Sequence, residues 1–135
     1  MLAEIIDGAC IPALALRELE QSAAQFVPGG AAADAVLALD GDALVLVRRP
    51  RAGAEAPSAN LGASALARWR LDAAPAGGER TVLARGDAAQ TAYQAAREEW
   101  RLLTAAALTG LAERALEIGA DYAKSRIQFD RPIGA

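Results

Sequence analysis

Histidine is absent from the 135-residue chain, and cysteine occurs once, at Cys10. The first absence excludes every Ser-His-Asp, Cys-His and histidine–metal arrangement within the chain. The second excludes an internal disulfide and any cysteine cluster for zinc or iron, so no metal site is expected. A lone thiol with no motif around it reads as a small buried apolar residue rather than a nucleophile. Aromatic residues are few, two each of Phe, Trp and Tyr, and the 53% hydrophobic share is inflated by 36 alanines. Leu, Ile, Val and Phe together number 30 of 135, just above the roughly 20% below which disorder is the expectation. A core is expected, but a thin one. Long hydrophobic runs are also missing. The longest uncharged run is Gln21 to Ala33, 13 residues rich in glycine and polar groups, too short for a membrane helix. The N-terminus does not read as a signal peptide, because Glu4 and Asp7 interrupt it and no basic residue precedes Arg17. A soluble, cytoplasmic protein is the expectation. An excess of basic residues is absent too: 14 Lys and Arg against 17 Asp and Glu give a net charge of −3, which argues against nucleic acid as the main partner. The basic run Arg48-Arg49-Pro50-Arg51 reads as a solvated strand end rather than a phosphate patch.

The chain changes character near Asp87. Before it, short apolar runs are divided by Gly, Pro, Asp and Asn, which is a β pattern. Gln25-Phe26-Val27 reads as a short strand stopped by Pro28-Gly29-Gly30. Ala35 to Leu39 and Ala43 to Val47 flank Asp40-Gly41-Asp42, a hairpin signal because Gly41 can take positive φ. Residues 51–60 lack bulky apolar side chains and read as a loop. Ser64 to Leu71 alternates around Leu66, Trp69 and Leu71, residues 73–79 form a turn, and Thr81 to Ala84 is another strand. Residues 1–20 fit either a helix or a strand. After Asp87 no proline occurs until Pro132. Asp87 suits an N-cap, with Gln90 placed to reach back to it. Ala88 to about Gln128 reads as one helix, roughly 60 Å long, with a break near 92–97 allowed. The fold class is thus α+β: a small β-barrel or sandwich-like region over 1–86, then one long C-terminal helix within 87–135.

On a helical wheel Trp100, Leu103, Ala107, Leu111, Ala115, Ile118, Tyr122 and Phe129 cluster, and Leu102, Leu108, Ala112, Leu116 and Ile127 widen the apolar arc to roughly 220°. That exceeds the stripe a helix lays on one sheet and suits a bundle with several neighbours. No second long helix is evident, so the neighbours are expected from another chain or a longer parent protein. Arg101 and Arg126 lie within the arc, about 37 Å apart along a helix. Arginine there either snorkels or pairs with a nearby carboxylate such as Glu98 or Glu99, or else serves an anionic partner. Arg126 suits a phosphate.

The run from Ala115 to Gly134 (ALEIGADYAKSRIQFDRPIG) resembles the signature of flavin-dependent acyl-CoA dehydrogenases, A-L-x-x-x-x-x-Y-A-x-x-R-x-Q-F-G-R-P-I-G. The stretch ending at Arg114 (LLTAAALTGLAER) is similar as well. Asp130 stands where the family has glycine. Gln25 to Leu37 more distantly resembles a segment of the family's middle β domain. The resemblance implies a fragment: residues 1–86 as a partial middle β domain, and 87–135 as the first long helix of the C-terminal bundle domain. It implies a parent enzyme that oxidises an acyl-CoA to a 2-enoyl-CoA with FAD as hydride acceptor. By the same resemblance Phe26 and Pro28 lie against the flavin ring, although proline supplies neither hydroxyl nor N–H. Arg126, Gln128 and Phe129 correspond to residues that reach the adenosine-pyrophosphate part of a neighbouring subunit's FAD. Arg101 matches an arginine that orients the active-site carboxylate. Where some relatives carry that catalytic glutamate on this helix, Trp100 stands, and Glu99 is displaced by about 100° around the helix. No base is assigned. The implied partners are the acyl-CoA and a homo- or hetero-oligomer formed through the long helix. The alternative is a non-catalytic subunit of the same type that assembles with a full-length partner.

Overall fold

A computed structural model describes residues 2–50, 57–60, 62 and 64–134. The chain is mixed α and β. In order it forms α1 (Leu2–Ile6), β1 (Pro12–Leu14), β2 (Ala24–Val27), β3 (Ala35–Asp40), β4 (Ala43–Arg48), β5 (Ala67–Arg70), β6 (Glu79–Arg85), α2 (Gly86–Ser125), β7 (Ile127–Gln128) and β8 (Arg131–Pro132). It divides into two compact units, 1–97 and 98–135, so the division falls inside α2. The expected loop at 51–60 lies mainly outside the described residues, and 57–60 have no regular structure.

In the first unit β3 and β4 form the expected hairpin, paired from Ala35↔Arg48 to Asp40↔Ala43. Gly41 closes it at φ 56°, a conformation that costs a Cβ-bearing residue energy. The hairpin sits in the middle of a four-stranded sheet ordered β1-β3-β4-β6, with β1 parallel to β3 and β6 antiparallel to β4. Both of its strands are nearly continuous apolar runs because both faces are covered. Val36, Ala38, Val45 and Val47 face one way and pack with Val27, Ala67, Trp69 and Leu71 around the two-stranded antiparallel sheet β2-β5. Leu39 and Leu44 face the other way, against Ala89 and Tyr93 of α2, while Leu46 and Ala35 meet Cys10. The two sheets thus form a sandwich-like arrangement, and among the described residues no barrel closes. Cys10 is buried, as a lone apolar-like thiol should be.

Residues 1–20 use both readings that their leucine spacing allowed. A single turn of helix precedes Cys10, and a three-residue strand follows it. The start of α2 differs from the expected capping box. Gln90 does not reach back to Asp87; its amide donates to the Gly41 carbonyl at 3.1 Å. The Gly86 N–H likewise donates to Asp42. The helix start is therefore tied to the β3-β4 hairpin, and Tyr93 locks it further by donating its hydroxyl to the Ala15 carbonyl at 2.9 Å.

In the second unit α2 runs unbroken to Ser125. The helix was expected to reach about Gln128; instead β7 and β8 form a tight hairpin. Phe129 and Asp130 take φ values of 51° and 59°, which helical backbone excludes. The ends are tied back by Ile133 N–H to the Arg126 carbonyl and Gly134 N–H to the Ala123 carbonyl. Among the described residues no helix is long and apolar enough to cross a membrane.

Candidate functional site

The residues singled out from sequence fall into two groups, one in each unit. Phe26 and Pro28 belong to the first. Phe26 alternates with buried Gln25 and Val27 along β2, so the pleat turns its ring outward, 56% exposed. Its cross-strand partner is Arg68, and Ala24 pairs with Arg70, so one outer face carries a ring and two guanidinium groups. Pro28 follows β2 and opens the turn whose Gly30 N–H returns to the Val27 carbonyl. The inner face is a fixed structural network. The Gln25 amide donates to the Arg17 and Ser22 carbonyls, and its oxygen accepts from the Arg17 N–H.

Arg101, Arg126, Gln128 and Phe129 belong to the second unit, and all four are exposed. Arg126, Gln128 and Phe129 are brought together at the hairpin that ends α2. Phe129 is 94% exposed at its tip and sits in the left-handed region, a strained position for a bulky residue. Asp130 tolerates that conformation better, as short polar residues do. It thus supports the turn where the family signature has glycine. Arg101 lies about 37 Å away along α2, 25 residues before Arg126. Neither arginine has a carboxylate partner among the described residues; the ion pairs of this unit are Arg114–Glu117 and Lys124–Asp121. The pairing of Arg101 with Glu98 or Glu99 does not form. Leu102, Leu103, Leu108, Leu111, Leu116, Ile118 and Tyr122 are each more than half exposed, so most of the wide apolar arc is uncovered among the described residues.

Sequence reading missed a cleft in the first unit. Arg48-Arg49-Pro50 is not simply a solvated strand end. Arg48 pairs with Glu4 at 3.4 Å, and Arg49 lies over the Trp69 ring at 4.1 Å. Arg49 Nη2 donates to the Gly30 and Ala31 carbonyls, and Trp69 Nε1 donates to Gly30 as well, at 2.9 Å. A Cβ on Gly30 would lie 2.9 Å from that indole nitrogen, so only glycine allows the approach. Arg49, Arg68, Trp69 and Arg70 line a cleft of about 340 Å³, with Pro50 and the turn 73–76 as its other walls. Arg70 is held by Asp72 through two contacts, at 3.0 and 3.3 Å. The hydrogen bond from Arg70 holds the Asp72 carboxyl below its ordinary value of 3.8. The alternation Arg68-Trp69-Arg70 signals only that the indole faces inward, since period two puts both arginines on the opposite face. No protein-family model matches the chain, and neither a curated protein nor a solved structure matches it.

Proposed function

We propose that the chain is part of a flavin-dependent acyl-CoA dehydrogenase whose complete form oxidises an acyl-CoA to a 2-enoyl-CoA in the cytoplasm. The run Ala115–Gly134 carries this reading. Its Arg126, Gln128 and Phe129 fall on one exposed hairpin with no carboxylate beside the guanidinium among the described residues. That donor set fits the anionic and ring parts of FAD. The exposed ring of Phe26 fits a contact with the flavin, whereas Pro28 offers it no hydrogen bond. Bound FAD supplies the redox chemistry by accepting the β-hydride. Arg101 orients a carboxylate by charge-assisted hydrogen bonds, and that carboxylate comes from outside the residues named. The uncovered arc of α2 is the surface through which the protein oligomerises. The second reading, a non-catalytic subunit completing a partner's flavin site, is favoured by Trp100 at the position where some relatives carry the base.

The test is made on the product of the complete reading frame, assayed by dye-linked oxidation of a panel of acyl-CoAs. It should retain FAD and turn over at least one of them, while the 135-residue chain alone is inactive. Arg126→Ala should weaken FAD retention by about 1.5–3 kcal/mol, one hydrogen bond to a charged group. A flavin-free product, or unchanged FAD affinity in the variant, overturns the reading. A product that holds FAD without turnover, and does so only with a partner, favours the subunit.

A further inference from the structure

We infer that Arg49 and Trp69 are positioning residues: together they fix the turn Pro28–Ala31 and so set where Pro28 stands beside the exposed Phe26 ring. The inference rests on the reading above, in which Phe26 and Pro28 lie against the flavin. The two residues it adds belong to the same unit as that pair. Neither is assigned a contact with the flavin. Each acts through the backbone carbonyls of the turn.

β2 ends at the fully buried Val27. The Gly30 N–H donates back to the Val27 carbonyl at 2.9 Å, and Gly29 takes φ 72°. Proline at the second position and a positive φ at the third are the marks of a type II turn. The corner of this turn has little to hold it, since Pro28 has no N–H and Gly29 no side chain. Its far end is held firmly. The Gly30 carbonyl accepts from Trp69 Nε1 at 2.9 Å and from Arg49 Nη2 at 2.8 Å, which uses both of its lone pairs. The same Nη2 reaches the Ala31 carbonyl at 3.3 Å, and the Ala31 N–H donates to the Ala65 carbonyl at 3.0 Å. Arg49 is itself fixed, by stacking on the buried Trp69 and by its own N–H on the Asp34 carbonyl at 3.0 Å. Strand pairing with Arg68 directs the Phe26 ring outward, whereas Pro28 lies beyond the last ladder pair, Val27↔Ala67. Its place relative to that ring therefore depends on the clamp at Gly30. A planar ligand packed against both residues is sensitive to that place, because a gap of about 0.5–1 Å forfeits a quarter to a half of a van der Waals contact.

The test uses the product of the complete reading frame, first without flavin and then with FAD. Without flavin, Arg49→Met should speed amide exchange at Gly30 and Ala31 and leave the β3-β4 hairpin unchanged. With FAD, the same variant should weaken binding by about tenfold, the scale of one hydrogen bond, and shift the visible flavin absorption bands. Arg49→Lys keeps a charge and a donor over the indole and should recover most of both. Trp69→Phe removes the indole N–H, keeps a buried ring and should act in the same direction, so it carries the test if Arg49→Met does not fold. Arg48→Met breaks the neighbouring ion pair with Glu4 and should lower stability without moving the flavin bands. Unchanged amide exchange, or flavin affinity and bands unchanged in both Arg49→Met and Trp69→Phe, would overturn the assignment alone. Bands that move equally in Arg48→Met would do the same, since that is the mark of a general loss of stability. A wild-type product that binds no flavin overturns the reading above, and this assignment with it.

Discussion

The first three turns of α2 and the remaining eight are both rich in alanine and have opposite surroundings. Before Arg97, Ala89 and Tyr93 are completely buried against Leu39 and Leu44 of the central hairpin. After it, no side chain of the helix is fully buried, and seven large apolar ones stand more than half exposed. Helix propensity is satisfied equally in both halves, since alanine and leucine are strong formers anywhere. Burial is not, because it needs a partner surface, and among the described residues only Ala89 and Tyr93 of the helix are buried against one. The helix as an element therefore says little about where stability lies. Its tertiary contacts say most of it.

The sharpest contrast is between Tyr93 and Leu111. Tyr93→Ala should destabilise the first unit by about 3–5 kcal/mol through loss of a fully buried ring. Leu111→Ala should change the monomer by no more than about 0.5 kcal/mol, as exposed sites do. Denaturant unfolding of both variants, followed through the Trp69 signal, measures the difference. Equal effects would mean that the two parts of the helix are supported alike. The uncovered arc leads to the next expectation, self-association of the chain. Replacing Leu111 and Ile118 together by glutamate should convert the associating chain to a monomer in sedimentation experiments. An unmodified chain that is already monomeric at high concentration removes the basis for contact through this face.

A smaller effect concerns the hairpin after α2. Phe129→Gly should stabilise the turn by about 1 kcal/mol, because glycine meets no penalty at positive φ. Slower amide exchange between β7 and β8 reports it. Faster exchange would mean that the ring, despite its exposure, holds the turn. The smallest effect is the Arg70–Asp72 pair. Its hydrogen bond lowers the Asp72 pKa, so its contribution is present above the ordinary carboxylate range and is lost as pH falls through the lowered value. Because both groups are exposed, stability should change little on that descent, and the change should be absent in Asp72→Asn. Comparing the two acid-unfolding profiles checks this.

Much of the secondary structure was readable locally. The strands around Asp40-Gly41-Asp42 followed from apolar runs and one glycine, and α2 followed from the lack of helix breakers between Asp87 and Pro132. The candidate residues were less readable. Phe26 was found, and period two explains its outward direction. The surroundings of Arg49 were missed, because the indole it covers and the carbonyls it donates to lie about twenty residues away in either direction. Gln90 departs from the local capping expectation for a similar reason: its acceptor, the Gly41 carbonyl, is remote in sequence.

By itself, then, the amino-acid pattern determined the strand-to-helix switch at Asp87, the central hairpin and the width of the apolar arc. These depend on periodicity, φ preferences and hydrogen-bonding groups a few residues apart. Tertiary structure alone decided that residues 1–20 divide into a helical turn and a parallel edge strand. It also decided that α2 ends at Ser125 under a folded-back hairpin, and that Arg49 is laid over the Trp69 ring. Each of those outcomes depends on which distant surface or acceptor a group reaches, and that is settled only when the chain packs.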